Sequence, residues 1–123
     1  MKRFILVTII LAGLVSLQSC QYDWLDPIDP VIPDVVSYSV DIQPIFDRSC
    51  NSSGCHAAGG VAPDLTPANA YNDLTAKNMI NTATPESSRL YTKCATGGSM
   101  NKYTQPGDPE IILKWIQEGA LNN

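Results

Sequence analysis

From Tyr38 onward the apolar residues come in short bursts at helical spacing, set apart by long polar stretches. Ile42, Ile45 and Phe46 form the first burst, which runs toward Arg48. Asp41 precedes it as a capping acceptor, and Pro44 falls in the first turn, where its missing N–H is not needed. Thr66-Pro67 opens a second segment through Tyr71 and Leu74, a cap residue followed by proline at the first helical position. Thr84-Pro85-Glu86 repeats that signal before Leu90 and Tyr91, and Asp108-Pro109-Glu110 repeats it once more. The last signal heads the clearest helix. There Ile111, Ile112, Trp115 and Ile116 share one face, and Gly119 is placed to end it. No stretch alternates as a half-buried strand does. The pattern predicts an all-α domain of four short helices joined by long polar loops, with Ile45 and Phe46 packed against Trp115 and Ile116.

Ahead of residue 38 the pattern changes twice. Phe4 to Leu17 is an apolar run behind the positive Lys2 and Arg3. It is shorter than the roughly 20 residues that span a bilayer, and it reads as the core of a signal peptide. It ends at Leu17-Gln18-Ser19-Cys20, which resembles the lipobox of bacterial lipoproteins. That resemblance implies a signal peptide over residues 1–19 and lipid on Cys20. It also implies residence in the bacterial cell envelope, anchored to a membrane through the lipid. An ordinary secretory signal with Cys20 incidental is the other reading. Residues 20–37 follow as a linker. Asp23, Asp26, Asp29 and Asp34 alternate there with Pro27, Pro30 and Pro33 and no basic residue, so repulsion and proline stiffness extend the chain. The domain proper is expected over residues 38–123.

Charge removes one class of partner. The formal net charge is −4 and becomes more acidic without Lys2 and Arg3, so the chain repels phosphate backbones and nucleic acid is not expected to bind. Size raises a different question. A domain this short, with helices this short, buries little apolar surface and calls for a staple: disulfides, a metal or a cofactor. The loops Asn51–Pro63 and Ala95–Gly107 hold too little apolar material to pack on themselves, and a large flat apolar cofactor would give them something to pack on. With Cys20 set aside, Cys50, Cys55 and Cys94 remain, an odd number that cannot pair fully within one chain.

The densest chemistry is Cys50-Asn51-Ser52-Ser53-Gly54-Cys55-His56, directly after the first amphipathic segment, and His56 is the only histidine of the chain. Two thiols followed at once by an imidazole are what covalent haem attachment needs. The thiols add to the two vinyl groups, and the imidazole binds the iron. Two other readings of the same residues stand beside it. One is a Cys50–Cys55 disulfide in a haem-free, stapled lipoprotein with a binding or structural role. The other is a zinc site built from Cys50, Cys55, His56 and Cys94. For a second iron ligand the candidates are Met79 and Met100.

Over about residues 38–121 the chain resembles the single-haem c-type cytochromes with a histidine and a methionine ligand. The resemblance rests on Asp41-Ile42-Gln43-Pro44-Ile45-Phe46, the two cysteines with their histidine, a methionine in a late glycine-rich loop, and a closing helix with Trp115-Ile116. Four residues stand between the cysteines where the family usually has two. Asn51-Ser52-Ser53-Gly54 is turn-forming, so the extra residues can bulge outward while Cys55-His56 keeps its place. The resemblance implies a small cytochrome c-like fold around one haem c, thioethers from Cys50 and Cys55, and iron held by His56 and Met100. Met79 is then a filler of the core. It further implies an electron carrier, not a catalyst, that meets other redox proteins through transient contacts. Tyr71, Tyr91 and Tyr103 can bond a haem propionate or simply pack. Arg89, Lys93 and Lys102 can pair with propionates or a partner, or stay solvated. Cys94 receives no role.

Overall fold

The structure, a computed structural model, describes residues 29–123. The signal peptide, Cys20 and the first part of the linker lie outside the described residues. Four α-helices are present: α1, Gln43–Ser49; α2, Ala70–Ala76; α3, Arg89–Cys94; and α4, Asp108–Gln117. A single π-helical turn, Tyr38–Ile42, leads into α1, and 3₁₀ turns occupy Pro85–Ser87 and Asn101–Tyr103. Among the described residues there is no strand. The domain is all-α, as its apolar periodicity predicts.

The helix starts differ from the predicted caps, each for a local reason. The chain already coils at Tyr38, so Asp41 sits inside the opening turn. Its carboxylate accepts the Ser37 N–H at 2.8 Å and does not cap α1. Thr66 is bound to Asp64, whose Oδ1 accepts both its N–H at 2.9 Å and its hydroxyl at 2.6 Å. That turn occupies Thr66-Pro67, and α2 begins only at Ala70. Pro85 starts a 3₁₀ turn, and α3 follows it at Arg89. Asp108 is the first residue of α4 and not its cap. Gly107 precedes it at φ 93°, a left-handed conformation that favours glycine. At the other end Gly119 sits just past α4 at φ 98°, the expected place and shape for a helix-ending glycine.

One core joins these pieces. Ile42, Phe46, Leu74, Ile112, Trp115 and Ile116 are fully buried, with Ile45 beside them. α4 supplies Ile112, Trp115 and Ile116 at helical spacing and packs on the opening turn and on α3, while Ile111 at the edge of that stripe is half-buried. Tyr38 stands between two aromatic neighbours, 5.4 Å from Trp115 and 5.3 Å from Tyr71 by ring centroids. Edge and tilted contacts of this kind add to area burial. Packing also reaches back into the linker. Val36 is only 2% exposed, and its N–H donates to Glu118 Oε2 at 2.8 Å. The Val36 amide first, then the Lys114 ammonium, hold the Glu118 carboxyl below the usual range.

Asp108 is the polar hinge of the fold. Its buried carboxylate takes Arg48 Nη2 on both oxygens, at 2.6 and 2.8 Å, and also accepts the Gln105 N–H at 2.8 Å. The end of α1 is thereby tied to the loop before α4, and those two regions wall the cavity described next.

Candidate functional site

Cys50 stands at the end of α1, where its N–H donates to the Phe46 carbonyl at 2.8 Å. The chain then closes a tight ring. The Cys55 N–H reaches the Ser52 carbonyl at 2.9 Å, and the His56 N–H reaches the Cys50 carbonyl at 3.0 Å. Ser52, Ser53 and Gly54 are exposed, with Gly54 at φ 82°, and Ser52 and Gly54 also line the cavity described below. Further along, the Val61 N–H donates to the Cys55 carbonyl at 2.8 Å and the Leu65 N–H to the His56 carbonyl at 2.7 Å. A Cβ at Gly60 would collide with the Cys55 carbonyl, so this loop closes only over a glycine.

The ring of His56 is oriented by its own loop. Nδ1 lies 2.9 Å from the Val61 carbonyl oxygen and 3.0 Å from that of Pro63. Both oxygens can only accept, so Nδ1 carries a hydrogen, and in the neutral ring the lone pair then sits on Nε2. Among the described residues nothing bonds Nε2. An imidazole oriented in this way has the geometry that a metal ligand needs, with one ring nitrogen held and the other turned free.

The late loop is fastened to α3. The Met100 N–H donates to the Lys93 carbonyl at 2.8 Å, and Asn101 Nδ2 donates to the Cys94 carbonyl at 2.9 Å. Gly98 lies so close to the carbonyls of Thr92 and Lys93 that a Cβ would meet both. Met79 is pinned by its backbone, its N–H on the Leu74 carbonyl and its carbonyl under the Leu90 N–H, each at 2.9 Å.

These segments enclose one cavity of about 850 Å³, within the ~300–1,000 Å³ range of small-molecule and cofactor sites. Cys50, Cys55, His56 and Met100 all line it, and so does Met79, which also packs on the core. Phe46, Leu65 and Leu90 give it an apolar floor continuous with the core. Cys94 lines it too, from a buried position. The three described cysteines are free thiols, Cys55 exposed and Cys50 half-buried. Burial, and next the Asp108 carboxylate, push the Cys50 thiol up to about 11, with Arg48 opposing. Burial, then the neighbouring Cys50, push Cys94 up to about 12. Neither thiol ionises near neutral pH.

The remaining sequence candidates divide. Tyr103 lines the cavity, whereas the Tyr71 hydroxyl donates to the Ala120 carbonyl at 3.0 Å and Tyr91 packs on the core. Arg89 and Lys93 line the cavity, and Lys102 lies 4.9 Å over the Tyr103 ring. Among the described residues no three His, Cys, Asp or Glu side chains gather to hold a metal ion, so the four residues of the zinc reading do not assemble. Two parts of the site escape a reading by side-chain type: the carbonyls of Val61 and Pro63, which every residue possesses, and Lys77 at the rim. Neither a protein-family model, nor a curated protein, nor a solved structure matches this chain.

Proposed function

We propose that this protein is a single-haem c-type cytochrome that carries electrons in the bacterial cell envelope, held to a membrane by lipid on Cys20. One observation carries the reading. The cavity brings two thiols and the chain's only histidine to the same wall, with that histidine's Nδ1 bound to backbone carbonyls and its Nε2 left as a ligand. These residues fit a haem. Cys50 and Cys55 would hold it by adding S–H across its two vinyl groups, sulfur to one carbon and hydrogen to the other. His56 Nε2 and the Met100 thioether would hold its iron. When bound, the haem supplies one-electron exchange at its iron.

The chain's own residues do the rest. The carbonyls of Val61 and Pro63 hold the His56 ring in one orientation. Phe46, Leu65 and Leu90 exclude water from the cavity floor. Held by both His56 and Met100, the iron would be suited to exchanging electrons and not to binding a substrate. The protein is thus read as a carrier, not an enzyme, that meets redox proteins in brief encounters.

The test is colour. Protein matured in a host with haem-attachment machinery should stay coloured after denaturation and acid-organic extraction, and Cys55→Ser should lose most of the pigment. A colourless wild type with a Cys50–Cys55 disulfide in its peptide map would sink the proposal and leave the stapled lipoprotein.

A further inference from the structure

The large apolar side chains that stay exposed are not scattered. Among the described residues, Val61 and Tyr103 line the cavity, and the others belong to the stretch 31–40 or to the tail of the chain. Val31 is 88% exposed, Val35 73% and Leu121 59%, and Ile32 and Val40 lie in the same stretch as the two valines. The end of the linker is built into the fold and presents these side chains from a fixed base. The Pro30 ring lies so close to Gly107 that a Cβ there would collide with it, and Val36 is buried and bonded to Glu118. Val35 and Leu121 line one hollow of about 240 Å³ together with Trp115 and Val36, and none of its lining residues is shared with the large cavity. This face offers no cation to an anionic surface. Asp29 and Asp34 lie on the linker, no Lys or Arg stands between Arg3 and Arg48, and Lys114 is engaged by Glu118 at 3.0 Å.

We infer that Val31, Ile32, Val35 and Leu121 form a docking face for a lipid bilayer of neutral headgroups, on which the anchored domain rests. The inference rests on the lipid on Cys20 proposed above, and the chain between that cysteine and the face is what points to a bilayer. Only residues 21–29 separate Cys20 from Pro30, and fully extended they reach no more than about 30 Å. They include Tyr22 and Trp24, residue types that favour the boundary between lipid and water, and Leu25 and Ile28 continue the apolar positions toward Val31. A tether this short keeps the face at high effective concentration beside the bilayer, so an apolar contact too weak to bind a free protein is enough. The carboxylates of Asp29 and Asp34 make an anionic bilayer the poorer surface. A second copy of the chain is also a poorer occupant. A stable pair buries about 800 Å² on each partner, more than these few side chains supply, and the linker carboxylates of two copies would repel. The face uses none of the cavity's lining residues, so it holds for coloured and colourless protein alike.

The test uses the isotope-labelled full chain as it matures in the cell, kept reduced and placed in phosphatidylcholine nanodiscs doped with spin-labelled lipid. The amides of Val31, Ile32, Val35 and Leu121 should lose most of their signal to the spin label, while those of Val61 and Tyr103 keep theirs. V35D/L121D should restore the lost signals although the protein stays in the membrane fraction. V31S/V35S, which alters exposed linker positions alone, should restore them in part. Added salt should leave the contact in place, because it is apolar, and exchanging the lipid for phosphatidylglycerol should weaken it. Signal loss centred on Val61 and Tyr103, loss unchanged in both variants, or a contact that tightens on phosphatidylglycerol would each overturn the docking face. So would a concentration-dependent dimer of the Cys20→Ala chain that V35D/L121D dissolves, because a second copy would then cover these residues. The mass of the N-terminal peptide reads the anchor separately. Lipid on Cys20 with no selective signal loss keeps the anchor and sinks the docking face, whereas a lipid-free Cys20 sinks both.

Discussion

At the residue scale the site turns on which side chains are already committed. His56 spends Nδ1 on the carbonyls of Val61 and Pro63, and that leaves a single nitrogen for chemistry. The thioethers are less constrained, since Met79 and Met100 line the same cavity. They differ in setting. Met79 packs on the core beside α2, while Met100 rides on a loop that Gly98 lets lie close against α3. On the haem reading, Met100→Ala should therefore remove the thioether-to-iron absorption band, lower the reduction potential and let carbon monoxide bind the ferrous protein, whereas Met79→Ala should change stability only. The opposite pattern in the two spectra would reverse the ligand assignment. Cys94 gives a prediction in pH. Its thiol ordinarily titrates near 9 and is pushed up to about 12 in the fold. Between those values the unfolded chain releases a proton that the folded one keeps. Stability is then fully present below pH 9 and falls as pH rises, with Tyr38, pushed up to about 12, adding in the same direction. Urea midpoints measured from about pH 8 to pH 11 should decline less steeply in Cys94→Ala than in the parent. Equal slopes would mean that the Cys94 thiol does not resist ionisation.

At the element scale the legible part of the sequence was its periodicity. The stripe Ile112-Trp115-Ile116 and the burst Ile42-Ile45-Phe46 are buried as their spacing requires, because helical burial depends on spacing alone. The caps read less well, because a capping side chain has competitors that only the fold brings near. Asp41 answers Ser37, Thr66 answers Asp64, and Asp108 answers Arg48, a residue sixty positions away. The candidate site divides in the same way. Cys50, Cys55, His56 and Met100 stood out by residue type, while the carbonyls that orient His56 and the rim cation Lys77 did not. The Asp108 contact is also the one whose loss should be most visible. Asp108→Asn keeps the shape but leaves Arg48 without its carboxylate and weakens the bond from Gln105. It should cost about 1–3 kcal/mol in urea denaturation, toward the lower end because Arg48 is partly solvated. A cost under about 0.5 kcal/mol would show that α1 and the late loop stay joined without the ion pair.

At the scale of the whole molecule, stability should come in two tiers. One side of the domain is a dry core in which α4 meets the opening turn through Trp115, Tyr38 and Ile42. The other side is a cavity of about 850 Å³ walled by residues 50–65 and the loop after α3, whose internal bonds are mostly turns of the backbone. Cavities cost stability in proportion to their size, so walls with few apolar contacts of their own should open readily when nothing fills the space. A ligand bound only by the closed form shifts that equilibrium by mass action, and a covalent one shifts it for good. Amide hydrogen exchange reads both tiers in one experiment. In cofactor-free chain, the amides of Ile112, Trp115 and Ile116 should exchange near the global unfolding rate, while those of Cys55, His56, Val61, Met100 and Tyr103 exchange much faster. In the coloured protein the second group should slow by at least about a hundredfold, roughly 3 kcal/mol, while the first follows whatever change global stability undergoes. If the loop amides were as well protected without the cofactor as with it, the walls would be self-supporting. The apolar poverty of those loops would then need an explanation other than a missing partner in the cavity.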